Sequence, residues 1–187
     1  MTIWEPLARY AYFETDRLLL RPFSYEDRED LHAILSNPLN TEYLMPSARN
    51  LAETTNLLVQ IFMKLPLGIW AIEEKESRQM IGCIRFENIE EKKKEAEIGY
   101  FLRQSFWGQG LMTETLQTLA YLAIHHVGFQ KVSVITHIEN IASQRVAEKA
   151  GFQKVRQYKG SDRYSHRMRE YVEFQLLASQ YKLLEEE

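Results

Sequence analysis

The chain has one cysteine in 187 residues, Cys83, so no intrachain disulfide can form. Nothing therefore points to an oxidising compartment, and Cys83 is expected to be a small buried hydrophobe rather than a reactive thiol. No window approaches the roughly 18 consecutive apolar residues of a membrane span. The opening MTIWEPLARYAYFETDR lacks the basic start and apolar run of a secretory signal. Basic excess is missing too: 23 Lys and Arg against 26 Asp and Glu give a formal net charge of −3, which leaves no footprint for nucleic acid. His125 and His126 are adjacent, so they diverge on a helix, and His137 has no Cys/His partner set; no metal centre is expected. With 45% hydrophobic and 26% charged residues, the expectation is an ordinary globular protein of the cytoplasm. Without repeat, linker or low-complexity segment, residues 1–187 read as one domain.

Several segments show clear periodicity. RLLLRPF (17–23) reads as a strand closed by Pro22. Ser24 and Asp27 form an S-x-x-D start signal for a helix that buries Leu31, Ile34 and Leu35 and stops at Asn37-Pro38. The stretch to Arg49 reads as irregular, and NLAETTNLLVQIFMK as a second helix that ends before Pro66. LGIWAIEE and QMIGCIRFEN suggest a hairpin, and EEKKKE (90–95) a solvated loop tip. AEIGYFL is a further strand. A helix from about Leu111 to His126 follows, with Leu116, Leu119, Ala120, Ala123 and Ile124 as its buried stripe and Gly128 as its stop. KVSVITHI is a strand with Val132, Val134 and Thr136 on one face, and IASQRVAEKA is a short helix before Gly151. FQKVRQY and MREYVEFQLL are the last strands, joined by a polar loop, and the terminal LLEEE is expected to fray. The order predicts an α/β (α+β) fold: a mixed, mostly antiparallel sheet of about seven strands with helices on both faces.

Glycine is scarce at eight residues, yet Gly108 and Gly110 flank Gln109 at the mouth of the 111–126 helix. A strand, a glycine turn and a helix start make an anion site, because free first-turn N–H groups and about half a positive dipole charge face the ligand. The P-loop pattern is absent, which removes ordinary ATP or GTP binding. Thr113 stands where a third glycine would complete a dinucleotide pattern. The same glycines also fit a tight turn without ligand.

Four segments in order resemble the GNAT N-acetyltransferase superfamily, in particular its ribosomal-protein N-terminal (Rim-type) branch: ETDRLLLRPFSYED, WAIEEKESRQMIGCIRF, EIGYFLRQSFWGQGLMTET and ENIASQRVAEKAGF. The likeness spans about residues 14–177. The family's pyrophosphate motif is Gln or Arg, two residues, Gly, any residue, then Gly or Ala. Gly110 takes its central place, Trp107 the Gln/Arg place as is usual in this branch, and Met112 departs from Gly/Ala.

The resemblance implies that acetyl-CoA lies between strands 96–102 and 131–138, which splay apart. Its pantetheine would pair with backbone at Tyr100, Phe101 and Leu102, and an N–H there would hold the thioester oxygen. Its pyrophosphate would sit on the amides of Gln109, Gly110, Leu111, Met112 and Thr113. Asn140 either starts the next helix or hydrogen-bonds pantetheine. Ser143 either sits in the first helical turn or assists thiolate departure. The tyrosine acid of many relatives is replaced by Ala147. Arg145 is either solvated or meets the CoA 3′-phosphate. Glu97 is the candidate general base for a protonated amine acceptor, or else a carboxylate of the sheet surface. The implied activity is direct acetyl transfer to a primary amine, a peptide N-terminus or a small molecule, and the alternative is a non-catalytic CoA-binding module. The acceptor is expected against the 37–49 loop, with Tyr43 and Met45, and the 158–166 loop, with Tyr158 and Tyr164. Relatives are often homodimers, and the sequence leaves that state open.

Overall fold

The computed structural model describes residues 2–185, with side chains through Tyr181. Eight strands form one sheet in the order β1-β2-β3-β4-β5-β6-β8-β7. They are β1 (Phe13–Glu14), β2 (Leu18–Arg21), β3 (Ile69–Glu74), β4 (Met80–Glu90), β5 (Glu95–Leu102), β6 (Lys131–His137), β7 (Gln153–Ser161) and β8 (Met168–Leu177). The mixed, mostly antiparallel sheet expected from the sequence is present. The strand beyond the seven read there is the two-residue β1, which exists as the partner of β2. The helices are α1 (Trp4–Arg9), α2 (Arg28–Leu35), α3 (Pro38–Thr41), α4 (Leu51–Leu57), α5 (Leu111–Leu122), α6 (Ile141–Lys149) and α7 (Ala178–Glu185).

The chain gathers into two compact units, and β4 and β5 each run from one into the other. The first holds residues 1–85 and 100–111. Its core includes Phe23, Leu31, Ile34, Leu58, Phe62 and the lone Cys83, all buried as their periodicity demands. Arg21 ties β2 to β3 and to the start of α2: it donates to both Asp27 oxygens at 2.9 and 2.8 Å and, through Nε, to Glu73 at 2.6 Å. Asp27 also completes the capping box with Ser24 that the S-x-x-D signal announces. At Gly82 in β4, any Cβ would run into the carbonyl oxygen of Phe101 in β5, so only glycine lets the two backbones approach there.

The second unit holds residues 86–99 and 112–187. Leu116, Leu119, Ala120 and Ala123 are fully buried, as the stripe predicts. A wider π-helical turn, Ala123–Val127, ends at Gly128 in the left-handed conformation, φ +87°. β5 pairs in parallel with β6 over Glu95–Glu97 and Lys131–Ser133, and the ladder ends there. β6, β8 and β7 continue as antiparallel neighbours, with a bulge in β7 between Lys154 and Arg156.

Three sequence expectations are corrected. The 37–49 stretch contains α3, because the Asn37 side chain caps it by accepting from the Leu39 N–H. Tyr158 lies in a strand rather than a loop, since β7 runs on to Ser161. The tail is helical through Glu185; Glu186 and Glu187 lie outside the described residues. Among the described residues no helix is long and apolar enough to cross a membrane, and no group of three or more His, Cys, Asp or Glu could hold a metal ion.

Candidate functional site

In the first unit, the glycine turn and the end of β5 are built together. Gly108 and Gly110 have φ of +75° and +77°, the region that L-residues avoid and glycine does not. The two reversals bring the chain from β5 to α5, whose first residue is Leu111. Trp107 donates its indole N–H to the Leu102 carbonyl at 2.6 Å, pinning the turn to the strand end. Phe101 packs edge-on against Phe62, with ring centroids 6.2 Å apart, and Leu102 is buried. Gln109 and Gly110 are exposed. A cation that sequence reading missed also reaches the turn. Arg17 Nη1 donates to the Gln109 carbonyl at 2.9 Å, and its Nη2 lies 3.7 Å from where a Gly110 Cβ would stand. Its place in the sequence, inside ETDRLLLRPF, gave no sign of a partner 92 residues away.

The turn suits a pyrophosphate. A side chain at Gly108 would meet open space and one at Gly110 only the Arg17 guanidinium, and α5 is long enough, at 12 residues, to carry a dipole.

In the second unit, Met112 is buried and Thr113 half-buried in the first turn of α5. Asn140 caps α6, its Oδ1 accepting from the Ser143 N–H at 3.1 Å. Ser143 thus stands in the first turn of α6, half-buried, with its backbone fixed, while Arg145 is exposed. Glu97 is half-buried in β5 and accepts from Asn88 Nδ2 at 2.8 Å. Glu95, its neighbour on that face, is spent on Lys131 at 2.7 Å.

The face of the β5-β6-β8-β7 sheet that carries Glu97 is polar. The register sets Ser133 beside Glu97, Ile135 beside Glu173 and Arg156, and His137 beside Tyr171 and Tyr158. Glu173 is buried, yet its carboxyl lies below the usual range. Burial pushes it up, but hydrogen bonds from Gln175 and Arg156, and the charges of Arg156 and Lys131, outweigh that. Burial lowers the His137 pKa, against the pull of Asp162, whose carboxylate lies 3.8 Å from the ring. Tyr158 and Tyr171 are both raised, chiefly by burial. Sequence reading missed Arg156 and Glu173. The usable signal was the alternation R-x-Y in β7 and Y-x-E in β8, which puts polar groups where a second core face would otherwise be.

A family model described as an acetyltransferase (GNAT) domain matches residues 17–153. The uncharacterized N-acetyltransferase YoaA of Bacillus subtilis (strain 168) is 31% identical over 156 residues, spanning 80% of this chain and 88% of that protein. The ribosomal-protein-serine acetyltransferase of Escherichia coli (strain K12) is 37% identical over 78 residues, spanning 40% of this chain and 41% of that protein. Among solved structures, the microcin C7 self-immunity acetyltransferase MccE, in complex with acetyl-CoA and AMP, superposes with a TM-score of 0.76 at 20% identity, covering 87% of this chain and 93% of that one.

Proposed function

The chain belongs to the GNAT acetyltransferase family, and we propose that it moves an acetyl group from acetyl-CoA to a primary amine by direct attack, as a single domain. The observation that carries this reading is the turn Gly108–Gly110: two left-handed glycines, Arg17 at their side and a 12-residue helix beyond. Backbone N–H groups of Gln109, Gly110, Leu111, Met112 and Thr113 hold the pyrophosphate. Because these contacts are backbone, Met112 in the place of Gly or Ala leaves them intact. Tyr100, Phe101 and Leu102 offer backbone to the pantetheine arm. Asn140 contributes its amide while it caps α6, and Arg145 meets the 3′-phosphate from the exposed face of that helix.

When bound, acetyl-CoA supplies the activated acyl carbon and a thiolate leaving group. Glu97 accepts the proton of the incoming ammonium, directly or through one water, because only the neutral amine attacks a thioester. Asn88 keeps the Glu97 carboxylate aimed by donating to one oxygen, and the other serves as base. A backbone N–H at the end of β5 stabilises the oxygen on which charge develops. Ser143 hydrogen-bonds the departing sulfur, in place of the tyrosine replaced by Ala147, and the thiolate takes the second proton that the amine nitrogen loses as the amide forms.

The acceptor is a peptide N-terminus or a small-molecule amine; the likeness to a ribosomal-protein-serine acetyltransferase supports the first. The test is CoA release, followed with a thiol reagent, across peptides with free N-termini, polyamines and aminoglycosides. Turnover of at least one acceptor is expected. CoA binding with no turnover of any amine would overturn transfer and leave a CoA-binding module.

A further inference from the structure

Arg156 and Glu173 form an ion pair on the same sheet face as Glu97. The Glu173 side chain is 8% exposed, that of Arg156 61%. Both Glu173 oxygens are engaged: Oε2 accepts from Arg156 Nε at 2.5 Å, and Oε1 from Gln175 Nε2 at 2.6 Å. The guanidinium stacks over the Tyr158 ring, its Cζ 4.5 Å from the centroid, and the Tyr158 ring in turn stacks on Tyr171 at 5.7 Å. Arg156 is therefore fixed through Nε and through its flat face. Neither terminal nitrogen donates a hydrogen bond to a described residue.

Arginine–carboxylate pairs are frequently bidentate, with two N–H groups on the carboxylate. Here the buried carboxylate takes the side of the guanidinium and leaves the two-donor end outward. The entropy of holding the arginine is already spent on Glu173 and Tyr158, so an incoming oxyanion meets a preorganised planar fork. The bulge between Lys154 and Arg156 is what turns Arg156 onto this face, opposite Glu173. The register runs Glu97–Ser133–Gln175 and, one row on, Ile135–Glu173–Arg156, so one face presents a carboxylate and, three strands away, a guanidinium fork.

We propose that Arg156 anchors an oxyanion of the acceptor: the acetyl acceptor is a primary amine that also carries a carboxylate or a phosphate. This rests on the reading of Glu97 as the base. The amine meets Glu97, the oxyanion takes the two terminal donors of Arg156, and Tyr158 backs the guanidinium from the row beyond. Glu173 and Tyr158 are positioning residues. Three strand spacings of about 4.8 Å separate the β5 and β7 backbones. Amine and oxyanion are therefore several bonds apart, as in a dipeptide or an aminoalkyl phosphate, rather than on one carbon.

The test compares matched acceptors: dipeptides against their C-terminal carboxamides, and aminoalkyl phosphates against the parent amino alcohols. Wild type is expected to favour the anionic member of one series by about tenfold to a hundredfold in kcat/KM, the worth of charge-assisted hydrogen bonds. The series that shows the preference identifies the anion. Arg156→Gln should bring that ratio near one, and Arg156→Lys should restore only part of it because lysine has no fork. Glu173→Gln and Tyr158→Ala should raise KM for the anionic member more than they lower kcat. Arg9→Gln, at an exposed arginine of α1, should leave the ratio unchanged. No preference in wild type, or a preference that survives in Arg156→Gln, would overturn the proposal. A second measurement needs no turnover: the Arg156 Nε–H resonance is followed while inorganic phosphate and acetate are added. A saturating shift at Arg156 but not at Arg9 supports the anchor even where every amine fails, and then the transfer reading alone falls. No shift at Arg156 overturns the anchor.

Discussion

Replacing Gly110 by Asn and by Asp separates the backbone role of the turn from its charge role. Both residues share size and tolerance of the left-handed region better than most, and they differ by one negative charge. A Cβ at Gly110 meets only Arg17 Nη2, at 3.7 Å, and one at Gly108 meets nothing within 4 Å. Steric cost is therefore small at both, and the conformational cost is about 1–2 kcal/mol for an ordinary L-residue at either. For a chain of this size that is roughly 2–8 °C in Tm. The charge term is larger. A carboxylate about 4 Å from a phosphate oxygen at a protein surface costs about 4 kcal/mol, and pairing of the new carboxylate with Arg17 offsets up to about 1 kcal/mol of that. The remainder, about 3 kcal/mol, makes CoA bind about a hundredfold more weakly to Gly110→Asp than to Gly110→Asn, and added salt should narrow the gap. Calorimetric titration with CoA at low and high salt measures this, with melting curves alongside. Gly108→Ala should melt lower yet keep its CoA affinity, because Gly108 lies ahead of the amides that hold the ligand. Equal affinities for Asn and Asp, or a loss in Gly108→Ala as large as in Gly110→Asp, would refute the assignment.

Further expectations follow from single side chains. Glu97→Gln should lower kcat by about 10²- to 10⁴-fold, and the loss should shrink as pH rises toward the pKa of the amine; a loss equal at every pH in a rate profile would make Glu97 a positioning carboxylate. Ser143→Ala should lower kcat about tenfold with CoA affinity nearly unchanged, since the α6 cap uses the Ser143 N–H and survives the change; full activity would reduce Ser143 to a helix residue. The folded-state carboxyl of Glu173 lies below its ordinary value of 4.5, so it contributes stability that is present above that pH and fades as pH falls through the lower folded value. Thermal melts of Glu173→Gln should accordingly lie below wild type at neutral pH and converge with it in acid, and a difference constant across that range would contradict the pairing.

The parts legible in the sequence are those whose cause is local. The stripe of α5, the Ser24–Asp27 capping box and the left-handed stops at Gly128 and Gly151 each depend on residues within a few positions of one another. What escaped reading depends on distant partners. β1 exists because β2 is beside it. α3 is held by side chains: Asn37 caps it, and the Asn40 amide donates to the Ile34 carbonyl while its oxygen accepts from the Gln104 N–H. Gly82 reads as an isolated glycine in a strand until the Phe101 carbonyl is set against it. The same holds at the site. The glycine turn announces itself because both glycines are adjacent to the helix they serve, whereas Arg17 arrives from the bend before β2. Arg156 finds Glu173 only through a bulge whose position no local pattern marks.

The most direct test of the central claim is the fate of an isotopically labelled acetyl group. Labelled acetyl-CoA is mixed with the protein and an accepted amine, the reaction is quenched in acid, and the label is followed on amine and protein. Label is expected on the amine nitrogen, stoichiometric with free CoA, and none on the denatured protein. Label retained on the protein would contradict direct attack, and label that stays on CoA with every amine offered would contradict acetyl transfer itself.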